Sequence, residues 1–117
     1  MTQATRLAVI GAGAIGRTHI DRIQRNSQLA LVGIADPTPA GEALARSLNL
    51  PWFADHRSLL EQLKPQGAIV ATPNASHIPV ALDCLERGVA ALVEKPVADS
   101  VAEAQLLVDA QARSGVP

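Results

Sequence analysis

The stretch Leu7-Ala-Val-Ile-Gly-Ala-Gly-Ala-Ile-Gly16 limits the fold more than any other part of the chain, because a short apolar run feeding three spaced glycines is a strand turning directly into a helix. Each glycine has its own task in such a turn. Gly11 permits the tight bend, Gly13 leaves no side chain above the backbone, and Gly16 lets the new helix lie close on its strand. The helix start, from Ala14 and Ile15 onward, then presents unpartnered N–H groups and the positive end of its dipole, which favours a phosphate.

Three glycines at this spacing also occur in ordinary turns, so the neighbours decide. Ile20 and Ile23 fall on the helical face of Gly16, placing that glycine where close packing needs it. About twenty residues further on, Leu29–Ala35 reads as a second buried strand with Asp36 at its C-terminal end, where a ribose hydroxyl pair of a dinucleotide would be held.

The rest of the chain repeats this rhythm. The pattern predicts strands over Arg6–Ile10, Leu29–Ala35, Trp52–Phe53, Gly67–Thr72 and Val89–Val93, with a first helix over Ala14–Asn26. Thr38 and Pro39 start a second helix ending near Leu48, Asp55 caps a third carrying Leu59, Leu60 and Leu63, and Pro65 ends it. A fourth helix carries Ile78, Leu82 and Leu85, tolerates Pro79 in its first turn if Ala75 or Ser76 caps it, and stops at Gly88. Ser100 and Glu103 form a capping box for a last helix. Buried strands alternating with helices imply an α/β fold of Rossmann type, a doubly wound parallel sheet in the order 3-2-1-4-5 with helices on both faces.

With 117 residues the chain is long enough for one core, so residues 1–117 are read as a single dinucleotide-binding domain. A mean hydropathy of +0.17 fits strands covered on both faces, and no run approaches a membrane span. A net charge of −1 with scattered arginines predicts neither a nucleic-acid nor a membrane partner. The segment Met1–Arg6 lacks a leader's hydrophobic core and one cysteine makes no internal disulfide, so a cytoplasmic location is expected.

In an open α/β sheet the ligand lies beyond the carboxyl ends of the strands, where the strand order reverses. Three segments converge there: Gly11–Gly16, Thr72–His77 and Glu94–Pro96. Asp36 carries the cofactor choice, since its carboxylate accepts from two ribose hydroxyls and repels a 2′-phosphate. Pro37 and Thr38 follow it with no adjacent arginine, so NAD is favoured over NADP. Of the two lysines, Lys64 ends a helix in solvent, whereas Lys95 follows a buried strand, where partial desolvation suits an amine to acid/base work. Among three histidines, His77 can reach the nicotinamide ribose or carboxamide, His19 reads as packing and His56 as solvated. Cys84 reads as packing, no residues cluster as metal ligands, and the absence of tyrosine excludes tyrosine–lysine dehydrogenase chemistry.

Gly11-Ala-Gly-Ala-Ile-Gly16, Ala35-Asp36, Thr72-Pro73-Asn74 with His77, Ala81-Leu82, Glu86, Gly88 and above all Glu94-Lys95-Pro96 resemble the N-terminal half of Gfo/Idh/MocA oxidoreductases. The resemblance covers the whole chain. It implies an NAD-dependent dehydrogenase acting at a secondary alcohol carbon of a sugar, an inositol or a related polyol. Lys95 would be the catalytic lysine, Thr72, Pro73, Asn74 and His77 would line the nicotinamide ribose side, and the Lys95–Pro96 bond would be cis. It further implies a C-terminal substrate and oligomerisation domain that these residues do not include, which would leave the chain alone catalytically incomplete and a bare surface prone to self-association. The alternative reading is a non-catalytic dinucleotide-sensing module, which has no use for a lysine at the nicotinamide end.

Overall fold

A computed structural model describes residues 3–117. The reading of Met1–Arg6 as leaderless thus falls partly outside the described residues. The order is β1 (Thr5–Ile10), α1 (Ala14–Gln24), β2 (Leu29–Ala35), α2 (Pro39–Ser47), β3 (Trp52–Phe53), α3 (His56–Leu63), β4 (Gly67–Val70), a 3-10 turn (Asn74–Ser76), α4 (His77–Glu86), β5 (Ala90–Val93) and α5 (Val101–Ser114). All strand pairs are parallel, and the sheet runs β3-β2-β1-β4-β5 as the sequence predicts.

Side-chain alternation along the central strands divides the interior into two cores. Ala8 and Ile10 of β1 with Ala68 and Val70 of β4 face α3 and α4, where Leu59, Leu60 and Cys84 complete one cluster. Val9 and Ile69 point the other way, onto Ile20 and Ile23 of α1 and Ala45 of α2. The helices on each face bury one apolar stripe, and α5, with no buried residue, packs only at the margin.

Boundaries depart from the sequence reading where side chains compete for backbone groups. Helix α1 ends at Gln24, and just beyond it the Asn26 side chain reaches forward to accept the Gln28 N–H (2.9 Å), favouring a turn there. Strand β4 ends at Val70, and the chain bends away through Ala71 and Thr72 into the 3-10 turn before α4 begins at His77. Pro79 lies in the first turn of α4, where no intrahelical bond is lost. Thr38, Asp55 and Ser100 act as N-caps, accepting from the N–H groups of Gly41, Arg57 and Glu103. The Glu103 carboxylate reaches the Asp99 N–H (3.4 Å), one residue short of a reciprocal capping box.

Candidate functional site

The glycine turn divides its labour as its spacing suggests. Gly11 takes φ +95°, donates its N–H to the Ala35 carbonyl (2.8 Å), and a β-carbon there would lie 2.5 Å from the Ala71 carbonyl oxygen. A β-carbon on Gly16 would fall 1.9 Å from the Gly11 oxygen, so α1 meets its own loop only because that side chain is missing. On Gly13, the N-cap of α1, a β-carbon would meet nothing within 4 Å. Two glycines serve packing, and the third opens onto space.

That space is a cavity of about 820 Å³ beyond the carboxyl ends of β1, β2 and β4, with Gly11, Gly13, Ile15, Asp36, Thr72 and Pro73 in its wall. Ala14 lines it as well, while Gly16 is buried behind the turn. Asp36 is 8% exposed and held on three sides. One carboxylate oxygen accepts the Ala12 N–H (2.7 Å); the other accepts the Thr38 N–H (2.8 Å) and hydroxyl (2.5 Å). Burial pushes its pKa up, yet the Thr38 hydroxyl, the two backbone donors and the charge of Arg17 together outweigh burial and leave it below the ordinary 3.8. Asp36 is therefore a carboxylate at neutral pH. Sequence adjacency missed Arg17, whose Nε–H donates to the Ala12 carbonyl (3.2 Å) beside this carboxylate. It also missed Gly41 of α2, where a β-carbon would lie 2.5 Å from that of Asp36.

The remaining sequence candidates occupy a different place. Asn74, His77, Glu94, Lys95 and Pro96 do not line the cavity. The His77 ring is 1% exposed, with Nδ1 2.7 Å from the Pro96 carbonyl and Nε2 2.9 Å from that of Thr72. Both nitrogens are occupied by backbone, so within these residues His77 ties the loop after β4 to the loop after β5 instead of reaching outward. The Lys95–Pro96 bond is cis, and the Lys95 side chain is exposed, so the partial burial expected of it is not supplied by these residues. Glu94 donates its N–H to the Val70 carbonyl (3.1 Å), and its carboxylate pairs with His19 of α1. That partner, with lesser help from the Lys95 N–H and charge, holds the Glu94 carboxyl below its ordinary value.

Two secondary readings of the sequence are revised by partners far along the chain, and a third is met by burial. His19 is mostly buried, as a packing residue is, and also pairs with Glu94. His56 is not simply solvated, since its Nε2 lies 2.6 Å from Asp83 of α4 and its side chain lines the cavity. No local signal marks either pair. Cys84 is fully buried and burial pushes its thiol up to about 12, so it packs as expected.

The cavity fits a dinucleotide on three observations. Gly13 leaves open space at a helix start, Asp36 offers a charged acceptor at the end of β2, and the buried Thr72 hydroxyl in the wall has no partner among the described residues. Among the described residues no helix is long and apolar enough to cross a membrane.

The oxidoreductase family described by its NAD-binding Rossmann fold matches residues 5–117. An inositol 2-dehydrogenase of Rubrobacter xylanophilus is 30% identical over 111 residues, covering 93% of this chain and 32% of that protein. A glucose-6-phosphate 3-dehydrogenase of Bacillus subtilis is 31% identical over 112 residues, 95% of this chain and 31% of that one. GenD2 from gentamicin A biosynthesis, solved with NAD, superposes with a TM-score of 0.91 at 28% identity, over 99% of this chain and 34% of that one. A candidate NADPH-dependent oxidoreductase of Desulfitobacterium hafniense gives 0.90 at 26% identity, over 99% and 34%. The chain thus spans about a third of the length of the curated relatives it matches.

Proposed function

Because this chain belongs to the Gfo/Idh/MocA family of oxidoreductases, we propose that it holds the NAD of a dehydrogenase that moves hydride between nicotinamide and a secondary alcohol carbon of a sugar, an inositol or a related polyol. The observation that carries this reading is the Asp36 carboxylate, kept charged in the wall of a cavity that Gly13 leaves open. The sheet order supports one direction for the ligand. The pyrophosphate belongs over the α1 start beyond β1, the adenosine ribose at Asp36 beyond β2, and the base beyond β3, against Ala54, Pro79 and Val80. The nicotinamide end then runs toward β4 and β5, where Thr72, Pro73, Asn74 and the Glu94-Lys95-Pro96 loop stand.

When bound, NAD supplies the hydride chemistry. The chain's own residues do the rest: Asp36 accepts from the ribose hydroxyls and repels a 2′-phosphate, His77 joins the two loops at the nicotinamide end, and Lys95 Nζ handles the carbinol proton. NAD is thereby preferred to NADP, although the Arg17 charge beside Asp36 moderates the repulsion. The relatives' greater length supports a further domain as the source of the substrate wall and of the cover that Lys95 lacks here. A cytoplasmic site of action is supported by the lone reduced, buried Cys84.

A second reading, a dinucleotide-sensing module without turnover, draws on the exposure of Lys95. One experiment addresses both. NADH and NADPH are titrated against wild type and Asp36→Ala, and Lys95→Met is assayed with a panel of inositols and sugars in the full-length enzyme. Equal affinity of wild type for the two cofactors overturns the NAD preference. Unchanged turnover in Lys95→Met overturns its proton role, and absence of turnover in the full-length wild type favours the sensor.

A further inference from the structure

Beyond β3 the cavity wall carries two adjacent polar side chains, Asp55 and His56, that no step of the proposed hydride transfer uses. The Asp83 carboxyl of α4 is held below the ordinary carboxylate range: burial raises it, but the His56 and Arg57 hydrogen bonds and charges outweigh that. Being a carboxylate, it only accepts. It takes the Nε2–H of His56 at 2.6 Å and the Nε–H of Arg57 at 2.9 Å. The proton of a neutral His56 ring is therefore fixed on Nε2, and Nδ1 is left as a lone-pair acceptor.

That nitrogen stands 3.7 Å from the Asp55 Oδ1, which is also an acceptor. Asp55 Oδ1 receives the Arg57 backbone N–H at 3.2 Å as helix cap, and a carboxylate oxygen has room for a second donor. In the neutral ring these are two acceptors 3.7 Å apart at the cavity wall. An exocyclic amine has two N–H groups and bridges such a pair; a carbonyl oxygen in the same place meets only lone pairs. The apolar neighbours Ala54, Pro79 and Val80 supply flat contact for a ring, so they bind a base without reading its edge.

Resting on the cofactor reading above, we propose that Asp55 and His56 form an amine-reading pair that selects an adenine nucleotide by its exocyclic amino group, with Asp83 as the residue that positions the His56 ring. The pair is a specificity determinant. A base with a carbonyl in place of the amine sets an oxygen against both acceptors, gains no hydrogen bond from them and meets the Asp55 charge, so it is bound more weakly.

The test compares NADH with reduced nicotinamide hypoxanthine dinucleotide, which carries a carbonyl in place of that amine and a proton on the adjacent ring nitrogen, by fluorescence titration of the wild-type protein at neutral pH. Wild type is expected to bind NADH about tenfold more tightly or better, the weight of one such mispairing. His56→Phe keeps a ring of similar shape without the acceptor, and Asp55→Asn keeps a capping side chain while adding a donor. Each is expected to narrow the ratio to within about threefold, a residue of one weakened hydrogen bond. Asp83→Leu, which frees the ring, is expected to reduce the ratio without removing it. Equal binding of both dinucleotides by wild type, or a ratio unchanged in both His56→Phe and Asp55→Asn, overturns the pair while leaving the cofactor reading intact. No saturable binding of NADH to wild type overturns both.

Discussion

The two flanks of the sheet treat their polar groups in opposite ways. Beyond β1, β2 and β3, Asp36 is 8% exposed with donors on both oxygens, and His56 is tied to Asp83. Beyond β5, Lys95 is exposed, and Leu92 and Val97 stand 58% and 45% exposed around it. The first flank has its geometry set by the chain's own backbone and side chains. The second presents groups whose surroundings depend on whatever packs there. On the proposed function, the first flank is the ligand half and the second the reactive half, the arrangement expected when binding and turnover are assembled from different parts of a protein.

The largest expected effect breaks the comparison at its weak flank. These 117 residues are expected to bind NADH yet show negligible turnover of inositols or sugars. Substrate positioning is worth up to roughly 7–11 kcal/mol of barrier, and Lys95 alone offers the roughly 10²–10⁴-fold of proton transfer. An assay beside the full-length enzyme checks this, and comparable rates would show that the β5 flank is complete as it stands.

Next come the glycines, which sharpen the strong flank. Gly16→Val drives a side chain into the Gly11 carbonyl, 1.9 Å from where its β-carbon would lie, and is expected to cost about 3 kcal/mol or more in urea unfolding. Gly13→Ala meets open space and is expected to change stability by no more than about 0.5 kcal/mol while weakening NADH by about tenfold. If both variants lose stability alike, Gly13 is a packing residue and the opening above it has no special use.

Asp36→Ala follows. Removing a charged acceptor from ribose hydroxyls is expected to weaken NADH by about 1.5–3 kcal/mol, with NADPH affected less because the repelled phosphate is relieved. Parallel titrations of the two cofactors measure it. A parallel loss for both would assign Asp36 to holding the Gly11–Gly16 loop through Ala12.

These effects also mark what a sequence can show. The strand order was legible because each buried strand is an apolar run bounded by glycine, proline or an acid, and the three glycine roles followed from spacing within six residues, from Gly11 to Gly16. The histidines were not legible in the same way. His56 meets Asp83 at a separation of 27 residues, His19 meets Glu94 at 75, and His77 meets Pro96 at 19. Such pairs arise only when the sheet has brought its helices and loops together, and no local periodicity encodes them. The Arg17 charge beside Asp36 was hidden for the same reason, since it reaches the carboxylate from α1 and not from the residues that follow Asp36 in the chain.

The smallest expected effect contrasts the carboxylates of the two flanks as pH falls. Asp36 has a folded pKa below its ordinary 3.8, so its charged form contributes stability that is fully present above that value and fades as pH drops through the lower folded value. The gap in urea midpoint between wild type and Asp36→Asn is therefore expected to hold steady from neutral pH down to the ordinary Asp range, then to close on further acidification. Glu94 is also held below its ordinary 4.5, by the His19 hydrogen bond first, but its side chain is 28% exposed, and water and salt reach the pair and screen it. The Glu94→Gln gap is expected to be small at every pH and to shrink further with added salt, whereas the Asp36 gap, carried by short hydrogen bonds to backbone N–H groups, is expected to respond little to salt. An Asp36 gap that widens on acidification would reverse the sign of the argument. Equal salt sensitivity at both positions would show that the two flanks hold their charges alike.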